Sequence, residues 1–260
     1  MDNLPNYYCA GSHLSLQLPN GVASVTVVRP FTPFTICQVL LVRMDNVPTV
    51  VKIYDPRFLN HRGRSKRRPA RPWSFALEAE AVRRSTPDPL VEFPPHPDVH
   101  DRVGWEMWYY RQMERAFLSE EESYKRLLDL QGHGVPRCFG SGRLILPDRA
   151  FFPHVVLLEY IPDAVNLKDI TVRPRSSIIA SLTKTVSSFG ALGVTHNDLN
   201  LGNILFTPSD DPTRVVVIDF GESALRKDEP DDEWSSIVES NYDVGYLERR
   251  LAWKGWKDGS

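Results

Sequence analysis

THNDLNLGNILF (195–206), TPSDDPTR (207–214) and VVVIDFGES (215–223) follow one another without interruption in this chain. Ile204, Leu205 and Phe206 are apolar and strand-like. Pro208, Ser209, Asp210, Asp211 and Pro212 are turn formers. Val215 to Ile218 is a β-branched run of the length of a buried strand. A polar group stands at the mouth of each strand: His196, Asp198 and Asn203 before the first, Asp219 after the second. A tight hairpin would bring the two mouths together, so Asp198, Asn203 and Asp219 are expected around one small volume.

Three oxygen-bearing side chains at one spot suit a hard cation such as Mg²⁺, usually held by one or two carboxylates plus substrate phosphates. With Asn203 and Asp219 as the metal ligands, Asp198 is left to accept a proton from a hydroxyl. The spacing H-x-D-x-x-x-x-N, followed by D-F-G, resembles the catalytic segment of the protein-kinase-like superfamily. HNDLNLGN looks closer to its atypical branches, similar to aminoglycoside-phosphotransferase-like and fungal-type kinase-like proteins, than to regulated protein kinases. Asn197 stands where regulated protein kinases carry arginine, and Asn200 where they often carry lysine.

That resemblance implies an α+β, two-lobed kinase-like fold over residues 22–251. Its N-lobe (22–158) would carry five antiparallel strands, and its C-lobe (162–251) would be short and mainly helical. Residues 1–21 and 252–260 would be terminal extensions. Ser24–Phe31, Ile36–Met44, Thr49–Tyr54, Cys138–Leu146 and Phe151–Ile161 read as the five strands, and His13–Leu18 alternates as a further short one. Trp105 to Leu130 is helical in pattern, with a capping box that predicts a break near Ser119. Ser176 to Leu192 is amphipathic, Leu167 to Ile170 reads as a short helix, and Asp231 to Leu251 as one or two helices.

By the same resemblance Lys52, polar within the run VVKIYD, would pair with the α- and β-phosphates of ATP and serve catalysis with Asp198. Glu120, with Glu121 close behind, would orient that lysine. The backbone of Glu159 and Ile161 would hold adenine, with Leu158 at the back of the pocket. Asp243 resembles the aspartate that anchors the catalytic loop. His196 reads as a structural group rather than a base. The implied activity is transfer of the γ-phosphate of MgATP to a hydroxyl, with a protein serine or threonine as default acceptor.

Two departures keep other readings open. The glycine-rich loop of kinases is replaced by Pro30-Phe31-Thr32-Pro33-Phe34-Thr35, and only 39 residues follow Gly221, with no A-P-E. These favour either a small-molecule kinase of the aminoglycoside-phosphotransferase type or a nucleotide-binding pseudokinase without turnover.

The rest of the chain bounds the setting. A net charge of -2 creates no global field towards nucleic acid or membrane, and neither is expected as a partner. Three scattered cysteines, Cys9, Cys37 and Cys138, imply no disulfide framework. With no leader and no apolar run of membrane length, the expectation is an intracellular protein, cytoplasmic or nuclear. Residues 57–104 read as an insertion. It holds a basic tract from Arg62 to Arg71 and a proline-dense stretch, expected to form a solvated loop with one short helix between Trp73 and Arg84.

Overall fold

The computed structural model describes residues 7–34, 36–59, 62–63, 69–84 and 95–256. Thr35, the basic residues Arg64, Lys66, Arg67 and Arg68, most of the proline-dense stretch, and the ends of the chain lie outside the described residues. The chain divides into two compact units: Met1–Phe117 with Phe139–Leu158, and Leu118–Cys138 with Glu159–Ser260.

The first unit is built on strands β1 (His13–Leu18), β2 (Gly21–Phe31), β3 (Gln38–Met44), β4 (Val47–Tyr54), β5 (Cys138–Ile145) and β6 (His154–Glu159). They close into a barrel in the order β1-β2-β3-β4-β6-β5. The expected five strands therefore become six. The added strand is β1, which pairs antiparallel with β2 on one side and with β5 on the other, Leu16 opposite Leu144. Closure leaves no unpaired edge. Alternate residues point inward, so Leu14 and Leu16, Val25 and Val27, Leu40 and Val42, and Val51 and Ile53 form one core. Asp45 and Asn46 both take left-handed φ (50° and 65°), as a two-residue turn between β3 and β4 requires.

The insertion is not simply a solvated loop. Its helix α1 spans Phe75–Arg84, and Arg57, Arg62 and Glu78 of the insertion are buried, whereas Arg83 and Arg84 are exposed. Asp55 at the end of β4 is fully buried and accepts from Arg57 Nη2 (2.7 Å), Arg149 Nη1 (3.0 Å) and Tyr8 Oη (2.7 Å). Arg149 reaches on to Glu78 of α1 with Nε at 2.9 Å, and Trp73 Nε1 donates to the same carboxylate at 2.7 Å. Arg62 grips Glu106 with two bonds of 2.7 and 2.6 Å while its guanidinium lies over the Tyr109 ring. Arg71 stacks on Trp105 at 3.7 Å. Each buried charge is thus matched by an opposite charge or an aromatic face, which makes burial tolerable.

Helix α2 (Arg102–Arg126) is continuous, without the expected break at Ser119. The Ser119 hydroxyl is buried and donates to the Ser223 carbonyl rather than capping a helix start. Arg102–Phe117 falls in the first unit, and the rest of α2 in the second.

In the second unit, α3 (Ser176–Ser188) buries Ile179, Leu182 and Val186 and packs on β10 (Arg214–Val217) and on α5 (Asp243–Trp253), whose buried side is Leu247 and Leu251. A 3₁₀ turn over Gly190–Leu192 follows α3, and Gly193 at φ 72° reverses the chain into β8 (Val194–Thr195). Residues 167–170 are not a helix: β7 (Val165–Asn166) precedes them, and Asn166 Oδ1 accepts from the Asp169 N–H in a side-chain turn. β7 pairs with β9 (Ile204–Thr207), which pairs with β10. β8 pairs with β11 (Ala224–Leu225). Asp231–Asn241 forms α4, tied to the end of α3 by Trp234 Nε1 donating to the Gly190 carbonyl at 2.7 Å. Of the two C-terminal tryptophans, Trp256 is buried edge-on against Phe206, whereas Trp253 is 74% exposed.

Candidate active site

The hairpin decides where the polar groups fall. Ile204 is opposite Val217 and Thr207 opposite Arg214, so Asn203 and Ile218 are the next facing pair. The Ile218 N–H donates to the Asn203 carbonyl at 2.9 Å, which places Asn203 and Asp219 at adjoining strand ends. Asp219 takes a left-handed φ of 71°, a conformation that costs a non-glycine residue of order 1–3 kcal/mol and is held only where surroundings over-determine it. Here Phe220 supplies the hold. It is fully buried, edge-on to Tyr124 and Phe189 and against the His196 ring.

Asp198 is brought to the same strand ends by His196. The imidazole Nε2 lies 3.0 Å from the Ile218 carbonyl, and the His196 N–H donates to Asp243 Oδ2 at 2.7 Å. Asp243 of α5 therefore anchors the loop, as the resemblance implied. A carbonyl only accepts, so Nε2 carries the proton. Nδ1 is buried with no hydrogen-bond partner among the described residues, which leaves no outlet for a second proton. Burial pushes the His196 pKa below 6.5, outweighing the hydrogen bond to Ile218 and the charges of Asp243, Asp219 and Asp198. His196 is thus a neutral structural pin.

A pH dependence follows. The unfolded chain takes up this proton below pH 6.5 and the fold resists it, so stability present above 6.5 is lost as pH falls towards the depressed value. Chemical unfolding of wild type beside His196→Gln should show this loss only in wild type, at up to about 1.4 kcal/mol per pH unit. Parallel pH curves for the two proteins would remove His196 from the account.

The Asp198 side chain is exposed, and hydrogen bonds orient it. Asn203 Nδ2 donates to the Asp198 carbonyl at 2.9 Å and to Oδ2 at 3.3 Å. Because carboxylate and carbonyl only accept, the amide nitrogen of Asn203 is turned to Asp198 and its oxygen away from it. The amide oxygen of Asn203 and the carboxylate of Asp219 are hard donors suited to Mg²⁺, but too few for an all-protein cage. No group of three or more His, Cys, Asp or Glu able to hold a metal occurs among the described residues. The donor set fits a cation completed by substrate phosphates.

The segment after Gly221 is fastened by backbone contacts. Asn197, at φ 61°, donates from Nδ2 to the Glu222 carbonyl at 3.0 Å. Arg126 Nη1 donates to the Gly193 and Arg226 carbonyls at 2.9 and 2.7 Å.

The other predicted residues stand as follows. Lys52 is on β4 of the first unit, 4% exposed, on the strand face opposite Val51 and Ile53, with Nζ 5.8 Å from the Tyr54 ring centre. Glu120 belongs to the second unit and is fully buried, on the α2 stripe that runs through Met113, Phe117, Tyr124 and Leu127. Glu121 points away from that stripe and pairs with Lys125 at 2.8 Å. Glu159 and Ile161 open the second unit's main segment. The Glu159 N–H is spent on the Arg137 carbonyl at 2.8 Å, so only its carbonyl could serve a base. Its side chain forms a two-bond pair with Arg214, which holds the carboxyl below the usual range. Sequence reasoning left Asn200 outside the site. Its signal was the D-x-N spacing, which puts a short amide beside the Asp198 carboxylate.

Residues 154–251 match the model of the lipopolysaccharide kinase (Kdo/WaaP) family. That is less than half of the chain, and it contains Asp198, Asn203 and Asp219. The expected resemblance to the protein-kinase-like superfamily is borne out by this match, which supports a kinase-like phosphotransferase. No curated protein sequence matches the chain. Among solved structures, the chain is similar to the Rio2 kinase–ADP/Mg²⁺–phosphoaspartate complex from Chaetomium thermophilum, at 19% identity and a TM-score of 0.48. The match covers 86% of this chain and 54% of that chain, so this chain spans about half the other's length. Among the described residues no helix is long and apolar enough to cross a membrane.

Proposed function

We propose that this chain transfers the γ-phosphate of MgATP to a hydroxyl group. The observation that carries the reading is the hairpin register, which sets Asn203 and Asp219 at adjoining strand ends with Asn203 bonded to Asp198. In the transfer, the acceptor oxygen bonds the γ-phosphorus and the bond from phosphorus to the β,γ-bridging oxygen breaks. The hydroxyl proton passes to the Asp198 carboxylate and ADP leaves. Asn203 and Asp219 would hold Mg²⁺, whose chemistry is to neutralise charge on the phosphates. By the resemblance, Lys52 would bind the α- and β-phosphates, Glu120 would orient it, and the backbone of Glu159 and Ile161 would hold adenine.

A protein serine or threonine is the default acceptor. The family match favours a second reading, because that family is described by action on lipopolysaccharide, and a sugar hydroxyl would be the corresponding acceptor. Radiolabelled γ-phosphate offered with generic protein, aminoglycoside and sugar acceptors separates the two, and label on none of them counts against both. Asp219→Asn should weaken Mg²⁺-ATP binding by at least about tenfold, ~1.4 kcal/mol, in calorimetry. Unchanged affinity would count against Asp219 as a metal ligand.

A further inference from the structure

We propose that Asn200 is a positioning residue that fixes the plane of the Asp198 carboxylate; this rests on the phosphotransferase reading above. The Gly202 N–H donates to Asn200 Oδ1 at 2.8 Å, which identifies that end of the amide as oxygen. Asn200 Nδ2 is therefore turned to Asp198, 3.1 Å from Oδ1 and 3.3 Å from the backbone carbonyl. Asn203 Nδ2 lies at the other carboxylate oxygen, Oδ2. The two amides bracket the carboxylate, one on each oxygen.

The arrangement matters because the final torsion of an aspartate is broad and two-fold. Asp198 is exposed, and the hydrogen bonds to its two oxygens narrow that torsion. One donor would leave the group free to swing about a single hydrogen bond. Two donors on opposite oxygens define a plane and leave each oxygen a lone pair for an incoming hydroxyl. Both donors are neutral, so they orient the carboxylate without offsetting its charge. The asparagine backbone also belongs to the loop: the Asn200 N–H donates to the Asp198 carbonyl at 2.8 Å and the Asn203 N–H to the Asn200 carbonyl at 3.0 Å. Any substitution must be read against this structural duty.

Two variants separate positioning from loop structure. Asn200→Asp keeps an oxygen for the Gly202 N–H but replaces the donor with a carboxylate oxygen facing Asp198. Asn200→Ser keeps a hydroxyl that can donate as well as accept. The assay is turnover of Mg²⁺-[γ-³²P]ATP at saturating Mg²⁺, with water, casein, an aminoglycoside mixture and a sugar mixture as acceptors, alongside thermal melting. N200D should fold with a wild-type Tm and an unchanged KM for ATP, and lose about ten- to a hundredfold in kcat. N200S should retain most of the wild-type kcat. If N200D does not fold, Asn200→Ala takes its place, since it also lacks the donor. An Asp variant as active as the Ser variant, or a loss carried by KM alone, overturns the positioning role. Wild-type protein without turnover on every acceptor overturns the phosphotransferase reading and this inference with it, whereas wild-type turnover unaffected by N200D overturns this inference alone.

Discussion

Asp198→Asn is expected to lower phosphoryl transfer by about 10²–10⁴-fold while leaving affinity for Mg²⁺-ATP near the wild-type value. The substitution preserves size and removes the negative charge that takes the hydroxyl proton. It also disturbs the local hydrogen bonding. Asn200 and Asn203 each present an N–H to one carboxylate oxygen, at 3.1 and 3.3 Å. An amide can accept only at one of these positions, and its NH₂ must face a donor at the other. The side chain would therefore lose both its basicity and its bracketed orientation. Nucleotide affinity should survive, because the phosphates and cation are assigned to Lys52, Asn203 and Asp219. Rapid-quench measurement of transfer beside calorimetric ATP binding checks both halves. A variant with wild-type transfer would remove Asp198 from the chemistry, and one with lost binding would move it into the metal site.

The second large effect is on stability. Asp55→Ala should cost about 3–5 kcal/mol, because it strips the carboxylate from two buried guanidinium groups. Asp55 and the Arg149 side chain are fully buried, as is that of Arg57, so neither cation can recover hydration without moving the barrel end. Tyr8 and Arg57 lose the Asp55 carboxylate in the same substitution, whereas Arg149 keeps Glu78 as a charged partner. Burial alone would raise the Asp55 pKa, but Arg149 and Arg57 outweigh it and hold the carboxyl below its ordinary 3.8. Its ionisation therefore stabilises the fold above that pH, and the contribution is lost as pH falls through the depressed value. Denaturant unfolding at pH 7 should show the full gap between variant and wild type, narrowing in strong acid. A gap under ~1 kcal/mol at pH 7, the range of exposed pairs, would mean that the cluster is wetter than its burial implies.

These two sites differ in how far they could be read from residues alone. The hairpin was legible because its signals are local: a turn cluster between two apolar runs fixes the register, and register fixes which polar residues share an end. The barrel strands were legible by alternation, but β1 was not placed as a barrel strand. Its second partner is Cys138–Ile145, more than 120 residues away in sequence, and no local pattern reports such a pairing. The buried ionic cluster was hidden for another reason. Arg57 and Glu78 lie in an insertion that reads as mostly solvated, Arg149 lies in a turn far along the chain, and only the fold brings them to Asp55. At Ser119 a capping pattern was present, yet the hydroxyl found a distant backbone acceptor and α2 ran on. For Glu120 against Glu121, helical spacing from Met113, Phe117 and Tyr124 already placed only Glu120 on the buried stripe.

The measurement that bears most directly on the central claim is release or transfer of γ-phosphate from ATP by the purified protein, with Mg²⁺ and with the cation chelated. Turnover is expected to require Mg²⁺ and to fall by about 10²–10⁴-fold in Asp198→Asn. ATP bound without turnover on any acceptor would contradict it and leave a nucleotide-binding pseudokinase.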